Sequence, residues 1–188
     1  RIAKLADFSI ARTTNETDPL TSYVSTRWYR APEVMIDSLS YGPPVDLWAM
    51  ACVAVELYSL SPLFPGRDEF DQLRRIFRLV GTPESNDWSM GDRLMRKTFV
   101  REWQIDPGSP HSKLLNWLRV RGTTQDHNAL IDFVLSLLRL DPAKRWTATH
   151  ALAHPYLQSG ASTTTPLTSW DTNISANLIT VSPKAMPE

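Results

Sequence analysis

The stretch from residue 44 to residue 60 constrains the fold most, because it is almost continuously apolar. Its apolar members are Val45, Leu47, Trp48, Met50, Ala51, Val53, Ala54, Val55, Leu57 and Tyr58. A helix that is apolar on all sides is expected to be buried. The stretch contains Asp46 and Glu56 and falls short of the ~20 apolar residues that a membrane span needs. We therefore predict a core helix over 44–60 and no membrane span.

Further segments also predict helices, whereas strand signals are almost absent. Residues 68–80 carry an apolar stripe at helical spacing, made of Phe70, Leu73, Ile76, Phe77 and Val80. Residues 128–140 carry another, and a short helix is predicted after Thr147, whose hydroxyl suits an N-cap. We predict a mainly α fold.

Two segments depart from this pattern. Residues 81–126 are interrupted by prolines and glycine but rich in tryptophan and leucine, so we expect this insert to pack on the rest of the domain. Residues 159–188 shift to serine, threonine, proline and asparagine, and we expect a flexible tail there.

Composition limits the classes of partner. The 188 residues carry 20 basic and 20 acidic side chains, so net charge gives no reason to expect nucleic acid or an anionic membrane. The single cysteine, Cys52, cannot form an internal disulfide and fits a reducing compartment. The four histidines do not have metal-ligand spacing.

Six short motifs follow one another in a fixed order. The first is Asp7-Phe8-Ser9, and the second, at 25–33, reads STRWYRAPE. The others are Asp46-Leu47-Trp48-Ala49, Pro62-Leu63-Phe64-Pro65-Gly66, Leu140-Asp141-Pro142-Ala143-Lys144-Arg145 and His154-Pro155. This order resembles the protein kinases of the group that holds cyclin-dependent and mitogen-activated kinases. With Thr21-Ser22-Tyr23 added, the chain most resembles the male germ cell-associated and intestinal-cell kinases.

The resemblance implies a domain organisation. Residues 1–158 would be part of a kinase domain, the C-terminal or large lobe, with an activation segment at 7–33 and the insert at 81–126. The Gly-rich loop, the strand lysine and the His-Arg-Asp loop of such kinases have no counterpart in this sequence. We therefore expect a fragment truncated before the metal-binding loop, with the catalytic base upstream of Arg1, and inactive by itself.

The resemblance also implies ATP and Mg²⁺ as cofactors of the complete kinase. Asp7 stands where kinases carry the aspartate that holds magnesium against the nucleotide. Ser9 replaces the glycine of that motif, and serine adopts some of the backbone angles open to glycine only at a cost. A lone Asp-Phe pair is ordinary loop sequence, so the assignment depends on the motifs downstream.

A phosphorylation switch is implied by the Thr-x-Tyr arrangement of Thr21 and Tyr23. A phosphate needs guanidinium partners to order a loop. By the family pattern these are Arg12 for Thr21, and Arg27 and Arg30 for Tyr23. The alternative is that Thr21 and Tyr23 are exposed loop residues and the arginines pair with carboxylates.

The family pattern assigns substrate-binding and structural roles as well. Thr26 and Arg27 would seat the residue after the target hydroxyl, with a preference for proline. Glu33 and Arg145 would form a buried structural ion pair. The carboxylate of Asp46 would reach backbone amides of the catalytic loop, while Trp48 would have a packing role.

Two functions remain open from the sequence. The first is a protein serine/threonine kinase with protein substrates and an upstream activating kinase, located in the cytoplasm or nucleus, or in the cilium. The second is a pseudokinase or docking module, which Ser9 favours. A His-Arg-Asp loop and a strand lysine encoded upstream would favour the enzyme.

Overall fold

A computed structural model describes residues 6–8, 11, 26–36, 41–83, 88, 91, 108–120 and 127–158 of the chain. Two 3-10 segments, at Arg27–Tyr29 and Pro142–Lys144, accompany seven helices in this part. The helices are α1 (Pro32–Ile36), α2 (Pro44–Ser59), α3 (Glu69–Val80), α4 (Pro110–Val120), α5 (Asn128–Leu137), α6 (Ala148–Leu152) and α7 (Pro155–Gln158). These described ranges contain no strand, so this part of the chain is helical, as the sequence predicted.

Helix α2 is the centre of the fold. It begins at Pro44. Proline fits the first helical turn because the N–H groups of that turn have no acceptor within the helix, so the missing N–H of proline costs no hydrogen bond. One face, formed by Trp48, Ala51, Cys52 and Val55, is buried and packs towards α5. The other face is not covered within the described residues: Met50 and Val53 are exposed and the Leu57 side chain is 75% exposed. The prediction of a helix buried on all sides was therefore wrong for this part of the structure.

The end of α2 has an unusual backbone. Leu60 has a φ of 55°, in the left-handed region, and its N–H donates to the Glu56 carbonyl at 2.7 Å. A residue in this conformation ends a helix by bonding a carbonyl that has no helical partner. Glycine is the usual residue at such a position because a Cβ is disfavoured there.

Helix α3 begins one residue later than predicted, because Asp68 caps it. The Asp68 carboxylate accepts the N–H of Asp71 at 2.8 Å. The buried first-turn residues are Asp71 and Gln72, whereas Phe70 is 63% exposed. The prediction that Phe70 belongs to the buried stripe was wrong, because the inward positions of this turn are held by polar side chains that bond the preceding loop.

Helix α5 ends at Leu137, three residues before the predicted end. Leu138 and Leu140 stay buried although they lie outside the helix. The chain leaves the helix where the carbonyl of Arg139 turns to accept hydrogen bonds from Arg145. Tertiary bonding therefore overrides the apolar periodicity at this end.

The predicted insert at 81–126 is described only in part. Its helix α4 buries Leu114 and Leu118 and packs against α3 and α5. Trp88 is buried as well. The rest of the insert and residues 159–188 lie outside the described residues. No helix in the described ranges has the length and apolarity required to traverse a bilayer.

Candidate functional site

The Arg27–Tyr29 segment is bound by two hydrogen bonds to the loop before α3 and by one to the first turn of α3. Arg27 Nη1 donates to the Arg67 carbonyl at 2.9 Å, and Trp28 Nε1 donates to the Gly66 carbonyl at 3.1 Å. Gln72 Nε2 in turn donates to the Trp28 carbonyl at 3.3 Å. The segment that follows Thr26 is thus fixed by contacts outside itself. Thr26 is exposed at its start.

Tyr29 connects the same segment to α2. Its hydroxyl donates to Glu56 Oε2 at 2.7 Å. The hydrogen bond to this carboxylate, followed by burial, raises the pKa of Tyr29 above its ordinary value, because both disfavour the phenolate. The segment therefore contacts both α2 and the start of α3.

Arg30 is buried, with only 7% of its surface exposed, and its Nη1 lies 3.5 Å from Glu69 Oε1. Arg27 contacts a backbone carbonyl, as described above. Arg12, Thr21, Tyr23 and Ser9 lie outside the described residues. The phosphate-binding roles of Arg27 and Arg30 stay predictions, although the contact between Arg30 and Glu69 is of the kind that the alternative expected.

Glu33 and Arg145 are brought together although 112 positions separate them. Arg145 Nη1 lies 2.7 Å from Glu33 Oε1, and Nη2 lies 3.0 Å from Oε2. The same guanidinium donates to the carbonyls of Pro44 and Arg139. Each of its nitrogens therefore has an acceptor. This satisfies the condition under which a buried charge is tolerated.

Trp48 lies beneath this guanidinium. The Cζ atom of Arg145 is 5.2 Å from the Trp48 ring centre, within the range of a cation–π contact. The Trp48 ring also stacks on Phe64 at 6.1 Å between centroids. The ion pair thus joins α1, the start of α2 and the chain after α5 above one buried aromatic layer.

Asp71 was missed by the sequence analysis. Its carboxylate accepts hydrogen bonds from Arg75 Nε at 2.9 Å, Arg74 Nη2 at 2.9 Å and the Arg67 N–H at 3.1 Å. The bond from Arg75, supported by those from Arg74 and Arg67, holds the pKa of Asp71 well below its usual range. The signal that could have found it is the acidic pair Asp68 and Asp71 at a helix start, where carboxylates bond free N–H groups.

Asp7, the predicted magnesium ligand, is exposed, and its φ of 60° places it in the left-handed region. Aspartate is among the residues that adopt this conformation more readily than most. An exposed carboxylate fits the way in which Mg²⁺ is usually held, by one or two carboxylates together with phosphate oxygens. Asp46 is likewise exposed, in the first turn of α2.

Three histidines of the described part, His127, His150 and His154, have local partners. The Tyr156 N–H donates to His154 Nδ1 at 3.1 Å, so Nε2 carries the proton and faces Asp132 Oδ2 at 3.2 Å. His127 Nδ1 lies 3.0 Å from the Tyr58 hydroxyl. Among the described residues, no group of three or more His, Cys, Asp and Glu side chains is arranged to hold a metal ion.

Comparisons with known proteins agree with these motifs and contacts. A family model described as "Protein kinase domain" matches residues 1–157. Cyclin-dependent kinase F-3 of Oryza sativa subsp. japonica is 41% identical over 157 residues, which are 84% of this chain and 34% of that protein.

Two more relatives give similar values. Serine/threonine-protein kinase MAK of Homo sapiens is 41% identical over 159 residues, which are 85% of this chain and 24% of that protein. Mitogen-activated protein kinase 4a of Physcomitrium patens is 41% identical over 156 residues, which are 83% of this chain and 40% of that protein.

The chain thus spans between 24% and 40% of the length of these relatives. The relatives carry the names of the kinase groups that the motif order predicted, and that prediction is confirmed. The chain belongs to the protein kinase family, in the group of the cyclin-dependent, MAK and mitogen-activated serine/threonine kinases.

Proposed function

We propose that this chain is the C-terminal lobe portion of a serine/threonine kinase that transfers the γ-phosphate of ATP to serine or threonine in proteins. One observation carries the proposal. The segment after Thr26 is held between α2 and the start of α3 by hydrogen bonds from Arg27, Trp28 and Tyr29. A fixed segment of this kind is what an enzyme needs to position an acceptor, since phosphoryl transfer depends chiefly on positioning and charge stabilisation.

In this proposal each end of the activation segment has its own task. The Asp7 carboxylate holds Mg²⁺, which offsets charge on the ATP phosphates when both are bound. Thr26 and Arg27 seat the acceptor peptide, with proline after the target hydroxyl. Glu33 fastens the end of the segment to Arg145.

The uncovered face of α2 supports a larger kinase domain. A groove of about 340 Å³ opens on this face, lined by Met50, Ala54, Leu57, Tyr58, Phe133, Tyr156 and Leu157. Exposed apolar surfaces of this kind usually belong to an interface. We propose that the remainder of the kinase domain, with its catalytic base, packs here. The chain by itself is then inactive.

Regulation and location follow from the same family pattern. An upstream kinase phosphorylates Thr21 and Tyr23. Arg12 then binds the phosphate on Thr21, and Arg27 and Arg30 bind the phosphate on Tyr23. Binding Tyr23 phosphate requires Arg30 to exchange its contact with Glu69. The proposed location is the cytoplasm or nucleus, with the cilium as a third site.

The test uses the full-length kinase that contains this chain and measures phosphorylation of a Ser-Pro peptide and of the matching Ser-Ala peptide. We expect preference for Ser-Pro, and a loss of about 100-fold or more in kcat with Asp7→Asn, because a magnesium ligand is removed. Asp132→Asn, at an exposed carboxylate of α5, should retain activity. Full activity of Asp7→Asn would overturn the proposal, as would turnover by the 188-residue chain alone.

A second candidate, a pseudokinase or docking module, is favoured by Ser9 in place of glycine. In that case the full-length protein would show no turnover, and Asp7→Asn would have no activity to impair. The peptide assay on the unmodified full-length protein therefore separates the two candidates, because only the kinase transfers phosphate to the Ser-Pro peptide.

A further inference from the structure

Gln72 is a polar side chain with no exposed surface, in the first turn of α3. Its Oε1 accepts the Gly66 N–H at 3.0 Å, and its Nε2 donates to the Trp28 carbonyl at 3.3 Å. Buried polar groups are retained where hydrogen bonds replace those to water. Here both ends of the amide are used, and each bonds the backbone of a different segment.

The hydrogen bonds form a closed circuit. The Gly66 N–H donates to Gln72 Oε1, and the Gly66 carbonyl accepts a hydrogen bond from Trp28 Nε1. Gln72 Nε2 in turn donates to the Trp28 carbonyl. The Trp28 side chain is therefore bonded to Gly66 and the Trp28 backbone to Gln72, which are themselves bonded to each other. No residue larger than glycine fits at position 66, because a Cβ there would approach Gln72 Cα to 2.7 Å.

The turn that carries this circuit, residues 66–67, is itself held by hydrogen bonds. Asp71 accepts the Arg67 N–H, and the Arg67 carbonyl accepts Arg27 Nη1. Adjacent residues of α3, Asp71 and Gln72, thus hold adjacent residues of the turn, Arg67 and Gly66. These in turn hold Arg27 and Trp28. The hydrogen bonds therefore connect α3, through the turn at residues 66–67, to the segment beside Thr26.

We propose that Gln72 is a positioning residue for the acceptor peptide: it fixes the backbone of Trp28 and thereby orients Thr26 and Arg27. This inference rests on the proposed function, because it assumes that the peptide binds at Thr26 and Arg27. The competing explanation is that Gln72 only contributes to stability. A positioning role affects peptide binding before it affects folding, and the two are separable by experiment.

The first test replaces Gln72 by Met in the full-length kinase, since methionine has similar length and offers no comparable donor or acceptor. We expect KM for a Ser-Pro peptide to rise about tenfold, the equivalent of one lost hydrogen bond, with kcat and KM for ATP nearly unchanged. Hydrogen–deuterium exchange of amides 27–30 should accelerate. Leu114→Ala, which removes a buried side chain of α4, should lower stability and leave peptide KM unchanged.

The second test uses Gln72→Glu, which can be restored by a proton. The ionised carboxylate still accepts the Gly66 N–H but cannot donate to the Trp28 carbonyl, whereas the protonated acid can. Burial beside a carbonyl raises the pKa of this introduced carboxyl. The peptide KM of Gln72→Glu should therefore approach that of the unmodified kinase as pH falls, while that of Gln72→Met stays raised.

The outcomes separate this inference from the proposed function. Unchanged peptide KM and unchanged exchange at 27–30 in Gln72→Met, with an active parent kinase, overturn the positioning role alone. Faster exchange with unchanged peptide KM also overturns it, since Gln72 would then be only structural. A parent kinase that neither binds nor phosphorylates the peptide overturns both.

Discussion

Arg145 and Glu33 form a two-point ion pair, with Nη1–Oε1 at 2.7 Å and Nη2–Oε2 at 3.0 Å, and both side chains are almost completely buried. Every nitrogen of the Arg145 guanidinium has an acceptor, because the donors that do not face Glu33 bond the carbonyls of Pro44 and Arg139. The energetic consequence is asymmetric. Removing either member leaves the other charge buried without compensation, which costs more than the pair contributes while intact.

The first prediction concerns this pair. Arg145→Ala should lower the free energy of unfolding by about 3 to 5 kcal/mol, because the Glu33 carboxyl would be left buried without its cationic partner. Arg139→Ala is the matched control, since it removes an exposed side chain and leaves the carbonyl that Arg145 uses. Urea denaturation of the 188-residue chain measures both. Equal unfolding midpoints for the two variants would contradict a stabilising role.

The second prediction concerns Asp71 and pH. The bond from Arg75, with those from Arg74 and Arg67, holds the pKa of Asp71 well below its usual range. The stabilisation is therefore complete above the unfolded value of about 3.9 and is lost as pH falls towards the lower folded value. Asp71→Asn should be less stable by about 1 to 2 kcal/mol at neutral pH.

This stability gap should shrink below pH of about 4, where the carboxylate of the unmodified chain begins to take up its proton in the unfolded state. Urea denaturation across the acid range gives the gap at each pH. Arg119→Gln, at an exposed side chain of α4, serves as the control and should change stability by less than about 0.5 kcal/mol across the same pH range. A gap for Asp71→Asn that is constant down to low pH would rule out the charge as its cause.

The third prediction concerns the hydrogen bond between Tyr29 and Glu56. Tyr29→Phe should cost about 0.5 to 1.5 kcal/mol, because the Glu56 carboxylate loses a donor. The pKa of Tyr29 is raised in the folded state, so the stabilisation is full below about pH 10 and declines at higher pH. Thermal melts at neutral and alkaline pH would show the difference between the two proteins narrowing with alkali. If Tyr29→Phe and the unmodified chain had the same melting temperature at neutral pH, the hydrogen bond to Glu56 would not contribute to stability.

The fourth prediction concerns the thiol of Cys52. It is buried in the core face of α2, and burial raises its pKa, so the reactive thiolate is disfavoured. A thiol reagent such as Ellman's reagent should label the chain only as fast as the core opens, and at once in denaturant. Because the chain has one cysteine, Cys52→Ala gives the blank. Immediate labelling of one thiol per native chain would show that α2 is not packed as described.

The fifth prediction concerns Leu60, whose side chain is 88% exposed and whose φ is 55°. Leu60→Gly should stabilise the chain by about 0.5 to 1 kcal/mol, because glycine adopts the left-handed conformation without a Cβ clash. Leu60→Ala is the matched control, since it removes the same exposed surface and keeps the Cβ. Denaturant midpoints should rise for glycine alone. A rise of equal size for alanine would show that removing the exposed leucine side chain, and not the backbone conformation, causes the effect.

Apolar periodicity predicted α2 and α3 to within one residue. The start of α3 is marked in the sequence by its cap residue Asp68, and the start of α2 by Pro44 in the first helical turn. It failed where polar bonding decides the local packing. Phe70 was assigned to the core by spacing alone, yet Asp71 and Gln72 face inward because the turn at 66–67 needs hydrogen-bond partners. The same holds for α5, whose end is set by Arg145 rather than by Leu138 and Leu140.

Only some residues of the candidate site could be predicted from the sequence, for a related reason. The contact between Glu33 and Arg145 was implied by the family resemblance, since each lies in one of the motifs that carry that resemblance. Gln72 and Asp71 carry no motif that signals their role, and their importance depends on which loop the fold places beside them. Pattern reading identifies residues that repeat across a family, whereas geometry is needed for side chains that act through a neighbour.

The uncovered face of α2 bears on the fate of the polypeptide in a cell. In the part of the chain that the structure describes, Met50, Val53 and Leu57 present an exposed apolar surface of the kind that chaperones bind and that quality-control proteases use to select substrates. The abundance of the polypeptide would then depend on how quickly this surface is buried in an interface after synthesis. We expect that a polypeptide of only these 188 residues would be short-lived in a cell.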